Sequence, residues 1–312
     1  MFNTYGFISQ LLKFSPRQLE NETKAGQSLV ALIQQNKISL RLQKFTFAHP
    51  KFNQSQLIAD GKKIACQAIS FVSGKIEGKN NLISSLSAAK RDFSFISFNP
   101  NCASISASGR AIKHPALAIS KADLPKILSA KKVQGQVVVK KIRHQSQNIL
   151  VGNLTNPQNL IFSHYDSINT GAVDNASGVA VSLQLIINRR DLLKNNLFIL
   201  SGNEELSYDF PVYWGHGYRE FEQKYFSLMA KAKKILVIDC VGNAPPQAYT
   251  DTYWINEGFP VINVKKFLPK TALIAGDLNK LMMVYHSQLD DLSQIKKPYL
   301  NQAYAYLLKL LK

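Results

Sequence analysis

Ionisable residues follow three short apolar runs in the second half of the sequence. The runs LIFS, LFILS and ILVI are followed directly, or within three residues, by His164, Glu204 and Asp239. Short apolar runs of this kind predict buried strands of a parallel sheet. Because the carboxyl ends of parallel strands meet at one edge of a sheet, we expect these three side chains to lie close together.

His164 and Asp166 are two residues apart, so at the end of a strand their side chains point to the same side. A carboxylate next to a metal-binding histidine fixes the tautomer and the orientation of the imidazole ring. The pair His-x-Asp is also frequent on protein surfaces, so by itself this spacing is weak evidence for a site.

Asp174 follows His164 by ten residues and precedes an apolar segment that predicts a helix through Val179 and Leu183. A polar residue at this place can cap the helix and do no chemistry. The short loop also lets Asp174 and His164 reach the same point, where a carboxylate could bridge two metal ions.

Glu204 and Glu205 are adjacent carboxylates after a buried strand, where they repel each other and resist loss of water. A metal ion bound to one of them would offset the repulsion and leave the other free to accept a proton from water. The alternative is a pair of glutamates that face solvent in an ordinary loop.

Asp239 directly follows a predicted buried strand, where carboxylates are usually paired or bound to metal, although it could also cap a helix. His286 lies in a predicted loop ahead of the last helix, and Asp290 is near enough in sequence to orient it. Imidazole and carboxylate ligands in these numbers suit two zinc ions, and other divalent metals are possible.

Together, these residues and their neighbours make the sequence resemble peptidase family M28. The resemblance rests on five motifs in the family's order: SHYDS at 163–167, AVDNASG at 172–178, NEE at 203–205, VIDCVG at 237–242 and YHSQLDD at 285–291. It implies an α/β fold with a mixed, mostly parallel sheet flanked by helices, of the zinc-peptidase and phosphorylase/hydrolase-like type. It also implies a smaller, mostly β insert similar to a protease-associated domain.

The resemblance further implies roles for the site residues. Asp174 would bridge two zinc ions, with His164 and Asp239 on one ion and Glu205 and His286 on the other. Glu204 would be the general base. Asp166, which could orient the imidazole of His164, is the second residue assigned to catalysis. The implied function is an aminopeptidase that hydrolyses peptide or protein substrates with a water activated by two metal ions.

The elements that must position these residues fall into three parts. Residues 1–53 contain a helix predicted from Ser15 to about Gln35 and a strand predicted at 39–47, with Leu40, Leu42 and Phe45 facing inward. Residues 54–145 contain short apolar runs broken by Gly, Asn, Pro and Lys, which predict the small β domain. Residues 146–312 alternate strand and helix patterns, as in the main part of an α/β peptidase domain.

Several alternatives stay open. The segment after Glu205 departs from the glycines that are common in the family, so the substrate preference is not predicted. A carboxypeptidase, a glutaminyl-cyclase-like enzyme with one metal and a non-catalytic peptidase-like binding protein share this scaffold.

The net charge of +18 raises the question of a nucleic-acid partner. Residues 1–144 hold 22 Lys and Arg against 6 Asp and Glu, a net +16, whereas residues 145–312 hold 16 against 14, a net +2. The basic residues are scattered and lack an interleaved aromatic pattern, so a solvated surface is favoured over a nucleic-acid interface.

No apolar run approaches the roughly 18 to 20 residues of a membrane-spanning helix. The first residues lack the features of a secretory signal, so we expect a cytoplasmic protein, with secretion left open. Cys66, Cys102 and Cys240 are expected to be buried free thiols, the alternative being a bridge between Cys66 and Cys102. The oligomeric state is not predicted.

Overall fold

The computed structural model describes residues 2–79, 81–87, 92–108, 110 and 113–311. The predicted domain limits at residues 1 and 312 therefore lie outside the described residues. The α-helices are α1 Thr4–Leu11, α2 Glu20–Gln35, α3 Leu124–Ser129, α4 Ser177–Asn188, α5 His216–Lys231, α6 Thr252–Gly258, α7 Val264–Phe267, α8 Leu278–Met282 and α9 Lys297–Leu310. The strands are β1 Arg41–Ala59, β2 Lys62–Ile64, β3 Gln67–Ala68, β4 Gly74–Glu77, β5 Leu82–Ser84, β6 Phe95–Phe98, β7 Ala116–Ile119, β8 Val133–Gly152, β9 Asn159–His164, β10 Asn196–Ser201, β11 Lys234–Ile238, β12 Gln247–Tyr249 and β13 Thr271–Ala275.

The chain divides into two compact units. The larger unit comprises Met1–Phe47, His144–Leu281 and Asp290–Lys312, and the smaller unit comprises Ala48–Arg143 and Met282–Leu289. The limits predicted from the sequence, 54 and 145, stay a prediction of domain boundaries. The similarity of residues 54–145 to a protease-associated domain likewise stays a prediction.

The larger unit has a mixed sheet in the order β12-β13-β11-β9-β10-β8-β1. The central strands β13, β11, β9 and β10 are parallel to their neighbours, whereas β12 and β8 pair antiparallel with this group. This is the predicted α/β class. The carboxyl ends of β9, β10 and β11 consequently lie at one edge, as the apolar runs indicated.

The central strands are buried on both faces, because every residue of β9 and β10 is buried. Sheets of this kind carry helices on both faces, so their strands read as continuous apolar runs. Phe162 of β9, for example, packs edge-on against Tyr218 and Phe221 of α5, with ring centroids 5.5 and 5.2 Å apart. These contacts hold α5 on the sheet.

The smaller unit is mostly β. β2 pairs with the end of β1, β4 pairs with the first half of β8, and a second sheet has the order β3-β7-β6-β5. Its apolar core includes Leu57, Ile76, Ile96, Leu117 and Val137, all at most 1% exposed.

Two expectations for the first segment were wrong. The helix begins at Glu20 rather than Ser15, because the Ser15 hydroxyl donates to the carbonyl of Thr170 and does not cap a helix. Leu42 is exposed, whereas Gln43 and Phe45 are buried. The amide of Gln43 donates to the Glu220 carbonyl at 2.7 Å, so a polar residue occupies the buried face that alternation would give to an apolar one.

All three cysteines are free thiols, which excludes the alternative bridge between Cys66 and Cys102. Cys102 and Cys240 are buried as expected, and Cys66 is partly buried. None of the helices formed by the described residues is both long enough and apolar enough to cross a membrane.

Candidate metal centre

His164 ends β9 and is 1% exposed, with carboxylates at both ring nitrogens. Its Nε2 lies 3.3 Å from Oδ1 of Asp174 and 3.5 Å from Oδ1 of Asp239. Its Nδ1 lies 3.4 Å from Oδ1 of Asp166. Three residues singled out in the sequence thus surround this imidazole, although Asp239 is far from the other two along the chain.

Asp166 is fully buried and connects the His164 segment to the two glutamates. Its Oδ1 accepts a hydrogen bond from the backbone N–H of Glu204 at 3.0 Å, and its Oδ2 accepts one from the backbone N–H of Glu205 at 2.9 Å. Since both oxygens are occupied, Asp166 fixes the position of the loop after β10 relative to His164.

Asp174 lies in a turn that enters α4 and is held by two neighbours. Both oxygens of the Asp290 carboxylate accept backbone N–H groups, from Val173 at 2.8 Å and from Asp174 at 3.1 Å. The side-chain amide of Asn175 donates to the Ile238 carbonyl at 2.9 Å, next to Asp239. The loop of Asp174 is therefore tied to the end of β11.

Glu205 completes a group of possible ligands with His164 and Asp174. One donor atom of each lies within 4.8 Å of the others, and all three residues are buried. Asp174 also belongs to a second such group with Asp239 and Cys240. Asp174 is thus the carboxylate common to both groups, as a bridging ligand would be.

The concentration of acids in this buried region shifts two pKa values. Burial lowers the pKa of His164, but Asp239, Asp166 and Asp174 outweigh burial and raise it well above its usual value. Burial raises the pKa of Glu204 well above the ordinary glutamate value, and Glu205 raises it further. Both effects favour the protonated form of the Glu204 carboxyl.

His286 belongs to the smaller unit. It is 7% exposed, its backbone has a positive φ of 50°, and its ring stacks on that of Tyr285 with centroids 3.6 Å apart. Its carbonyl accepts the N–H of Ala107 at 2.9 Å. The role of His286 as a metal ligand stays a prediction.

Arg17 is a site residue that sequence reasoning missed, since it was assigned to the first turn of a helix. It is fully buried, and its guanidinium donates to the carbonyls of Tyr165 at 2.6 Å, Thr170 at 3.0 Å and Gly171 at 2.8 Å. Burial lowers its pKa to about 10, against the opposing effect of nearby acids that include Asp166. Arg17 thereby fixes the loop between His164 and Asp174.

Glu22 of α2 is a second buried group that the sequence did not reveal. It is 1% exposed, and its carboxyl accepts hydrogen bonds from the Ser146 hydroxyl and from the backbone of Asn203. Burial raises its pKa well above the usual value. Glu22 and Asp166 thus lie against the loop that carries Glu204, where Asp166 binds the N–H groups of residues 204 and 205.

The donors fit a zinc ion. Zinc binds imidazole nitrogen and carboxylate oxygen at about 2.0 to 2.2 Å in a tetrahedron, which places its ligand atoms roughly 3.3 to 3.6 Å apart. The distances of 3.3 and 3.5 Å from His164 Nε2 to Asp174 and Asp239 match this spacing. Mixed imidazole and carboxylate donors also suit zinc among the common divalent metals.

Comparisons with known proteins agree with this geometry. Residues 148–253 match the model of peptidase family M28. The fold is similar to that of BSAP, a zinc aminopeptidase from Bacillus subtilis, with a TM-score of 0.69 and 18% identity over 98% of this chain and 94% of that one. It is also similar to an aminopeptidase from Aneurinibacillus sp. strain AM-1, with a TM-score of 0.63 and 18% identity over 97% and 92% of the chains.

A glutaminyl cyclase from Porphyromonas gingivalis shares the fold at a TM-score of 0.54 and 14% identity, over 99% of this chain and 96% of that one. No curated protein sequence matches the chain.

The segment that matches the family M28 model contains His164, Asp174, Glu204, Glu205 and Asp239. The recognition of the family from its motifs and the predicted fold class are thereby confirmed. The whole chain shares the fold of the zinc aminopeptidase structure, and its segment 148–253 matches a metallopeptidase family.

Proposed function

We propose that the protein is an aminopeptidase that uses two zinc ions and Glu204 as general base. The observation that carries this proposal is the convergence of Asp174 and Asp239 on His164 at 3.3 and 3.5 Å, with Glu205 near His164 and Asp174. Asp174 would bind both ions, His164 and Asp239 would complete the site of one, and Glu205 and His286 that of the other.

Zinc ions at this place would lower the pKa of water and polarise the carbonyl of the scissile peptide bond. Glu204 would take the proton from the attacking water and pass it to the leaving amine. Burial supports this role, because it raises the pKa of Glu204 and so lets the carboxyl carry a proton between the two steps. Asp166 would act by positioning, since it orients His164 and binds the N–H of Glu204.

Peptides or proteins are the substrates that fit the family. An aminopeptidase is favoured because both of the zinc-peptidase-like structures with the higher TM-scores quoted above are aminopeptidases. The cyclase likeness favours a second candidate, the cyclisation of amino-terminal glutamine, which the same assay can detect.

The test is Glu204→Gln, assayed on a panel of aminoacyl, peptidyl, carboxyl-terminal and amino-terminal glutamine substrates, with and without a chelator. We expect the variant to keep its zinc content and to lose roughly 10²- to 10⁴-fold in kcat, as for loss of a general base. Glu257→Gln, which removes an acid outside the centre, is the matched control and should keep the wild-type rate. Hydrolysis by Glu204→Gln at the wild-type rate would show that the assignment of the base is wrong.

A further inference from the structure

The larger unit has a second cleft, of about 550 Å³, that the metal centre does not use. It is bounded by the segment after Glu205, by the first turns of α5 and by the segment that precedes α7. Its walls include Asp209, Phe210, His216, Glu220, Phe226 and Ile262.

Two carboxylates flank a buried imidazole in this cleft. Asp209 Oδ2 lies 3.5 Å from Nδ1 of His216, and Glu220 Oε1 lies 3.6 Å from its Nε2. The His216 side chain is 9% exposed, whereas those of Asp209 and Glu220 are 34% and 27% exposed. Nε2 of His216 and Oδ2 of Asp209 are buried without a hydrogen-bond partner. Polar atoms of this kind are costly unless a ligand satisfies them.

The other two charged residues of the cleft are already satisfied by backbone groups. Arg219 donates to the carbonyls of Trp214, Val212 and Pro260, and the Glu222 carboxylate accepts the N–H groups of Ile262 and Asn263. These opposite charges are fixed in the walls and offset each other. Asp209 and Glu220 are therefore the charged side chains that are available to bind a ligand.

His216 does not neutralise these acids. Burial lowers its pKa to about 4, so the imidazole is uncharged at neutral pH. Burial and the nearby Asp209 also raise the pKa of Glu220, and the opposing effect of Arg219 does not outweigh them. The cleft is thus a local negative region in a protein of net charge +18.

The remaining walls are apolar and partly exposed. Phe210 is 88% exposed and Ile262 is 59% exposed. An apolar wall beside carboxylates suits a side chain with an aliphatic stem and a cationic end, since the stem covers apolar surface while the charge meets the acids. An aromatic ring also attracts a cation over its face.

The cleft is joined to the loop of the proposed base. The N–H of Gly215 donates to the carbonyl of Glu204 at 2.5 Å, and the N–H of Gly217 donates to that of Asn203 at 3.1 Å. His216, which starts α5, lies between these two donors. The same turn of chain therefore supports the base on one side and lines the cleft on the other.

We propose that this cleft binds a lysine or arginine side chain of the peptide substrate, through the carboxylates of Asp209 and Glu220. This inference rests on the proposed peptidase function. A divalent cation is the less favoured occupant, because the carboxylates face different nitrogens of the ring. Within the described ranges, moreover, the groups with three donor atoms inside 4.8 Å all belong to the metal centre.

The first experiment measures specificity. Peptides carry lysine, or its uncharged analogue norleucine, at successive positions on both sides of the scissile bond. We expect wild-type kcat/KM to favour lysine at one position, and the double variant Asp209→Asn/Glu220→Gln to lose about tenfold of that preference, as for loss of charge-assisted hydrogen bonds. The control Glu20→Gln/Asp191→Asn removes the same charge from exposed acids outside the cleft and should keep the preference.

The second experiment separates this inference from the proposed function. Binding of the preferred lysine peptide and of its norleucine analogue is measured by calorimetry on Glu204→Gln, which needs no turnover. We expect the lysine peptide to bind about tenfold more weakly when Asp209→Asn/Glu220→Gln is added. If no peptide is hydrolysed with zinc but this difference persists, the peptidase proposal fails and the cleft assignment stands.

Two results would overturn the cleft assignment. One is an equal preference and an equal affinity for lysine and norleucine peptides in the wild-type chain and the double variant. The other is binding of Zn²⁺ or Ca²⁺ alone that depends on Asp209 and Glu220 and excludes the lysine peptide.

Discussion

Two histidines of the larger unit, His164 and His216, are both buried between carboxylates, but their protonation differs. The pKa of His164 is raised well above its usual value, whereas that of His216 is lowered to about 4. Burial lowers the pKa in both cases. The difference arises because Asp239, Asp166 and Asp174 surround His164, whereas His216 has partly exposed acids and the cation of Arg219 near it.

The two surroundings also differ in how firmly the acids are held. Asp166 at the metal centre accepts two backbone N–H groups, and Asp290 holds the loop of Asp174 in the same way. At the cleft, Oδ2 of Asp209 has no hydrogen-bond partner. The first arrangement keeps ligand atoms at fixed distances, as a metal ion requires, and the second leaves acids ready for an organic cation.

The largest effect that would sharpen this comparison is expected from Arg17→Met. The change removes the donors for the carbonyls of Tyr165, Thr170 and Gly171 and leaves buried acids without their cation. We expect a loss of about 3 to 5 kcal/mol in the free energy of unfolding, measured by urea denaturation. The control Arg189→Met removes an arginine of the surface ion pair with Asp191 and should cost much less than Arg17→Met. A loss below 1 kcal/mol for Arg17→Met would contradict the anchoring role.

The pH dependence of the unfolding free energy tests the lowered pKa of His216. Because the pKa of His216 is lowered to about 4 in the folded state, the unfolded chain binds more protons between pH 4 and about 6.5. The stability that the uncharged His216 contributes to the folded state is fully present above about pH 6.5 and is lost as pH falls toward 4. We expect His216→Gln to reduce the difference in unfolding free energy between pH 7 and pH 4.5 by about 2 kcal/mol.

The control for that measurement is His144→Gln. His144 lies beside the ring of Phe47, as His216 does, with centroids 5.8 and 6.1 Å away. This variant should keep the wild-type difference between the two pH values. An equal reduction in both variants would show that the burial of His216 is not the cause.

A smaller effect is expected from Asp166→Asn. An amide in place of the carboxylate can accept only one of the N–H groups of Glu204 and Glu205, so the ligands lose part of their orientation. Loss of such a supporting residue typically weakens metal affinity about 10- to 100-fold, which a competition titration with a zinc chelator can measure. Glu257→Gln, which removes an acid outside the centre, is the control and should stay within about twofold. Unchanged zinc affinity in Asp166→Asn would be evidence against the positioning role.

The sequence predicted which side chains gather at the carboxyl ends of the central strands. Strands that are buried on both faces appear as continuous apolar runs, and the ionisable residues follow directly after these runs. His164 and Asp239 meet as the strand ends predicted, and Asp166, which lies beside His164, binds the N–H of Glu204. The departures lie in the first segment, where tertiary contacts override local patterns. Arg17 and Glu22 looked like ordinary helix residues, since only the folded chain shows that they reach buried carbonyls and N–H groups.

Other expectations remain predictions. The placement of His286 on the second ion depends on the arrangement of two units, which no motif encodes. The cytoplasmic location, the protease-associated character of residues 54–145 and the preference for a solvated basic surface over nucleic acid have the same standing. Sequence composition constrains such properties only weakly.

The most direct test of the metal centre is the zinc content of the purified chain after dialysis against micromolar free zinc, measured by mass spectrometry for the wild type and for Asp174→Ala. We predict two zinc ions per wild-type chain and fewer than one in the variant, because the carboxylate common to both ligand groups is lost. A wild-type chain that binds no zinc, or a variant that keeps both ions, would contradict the account.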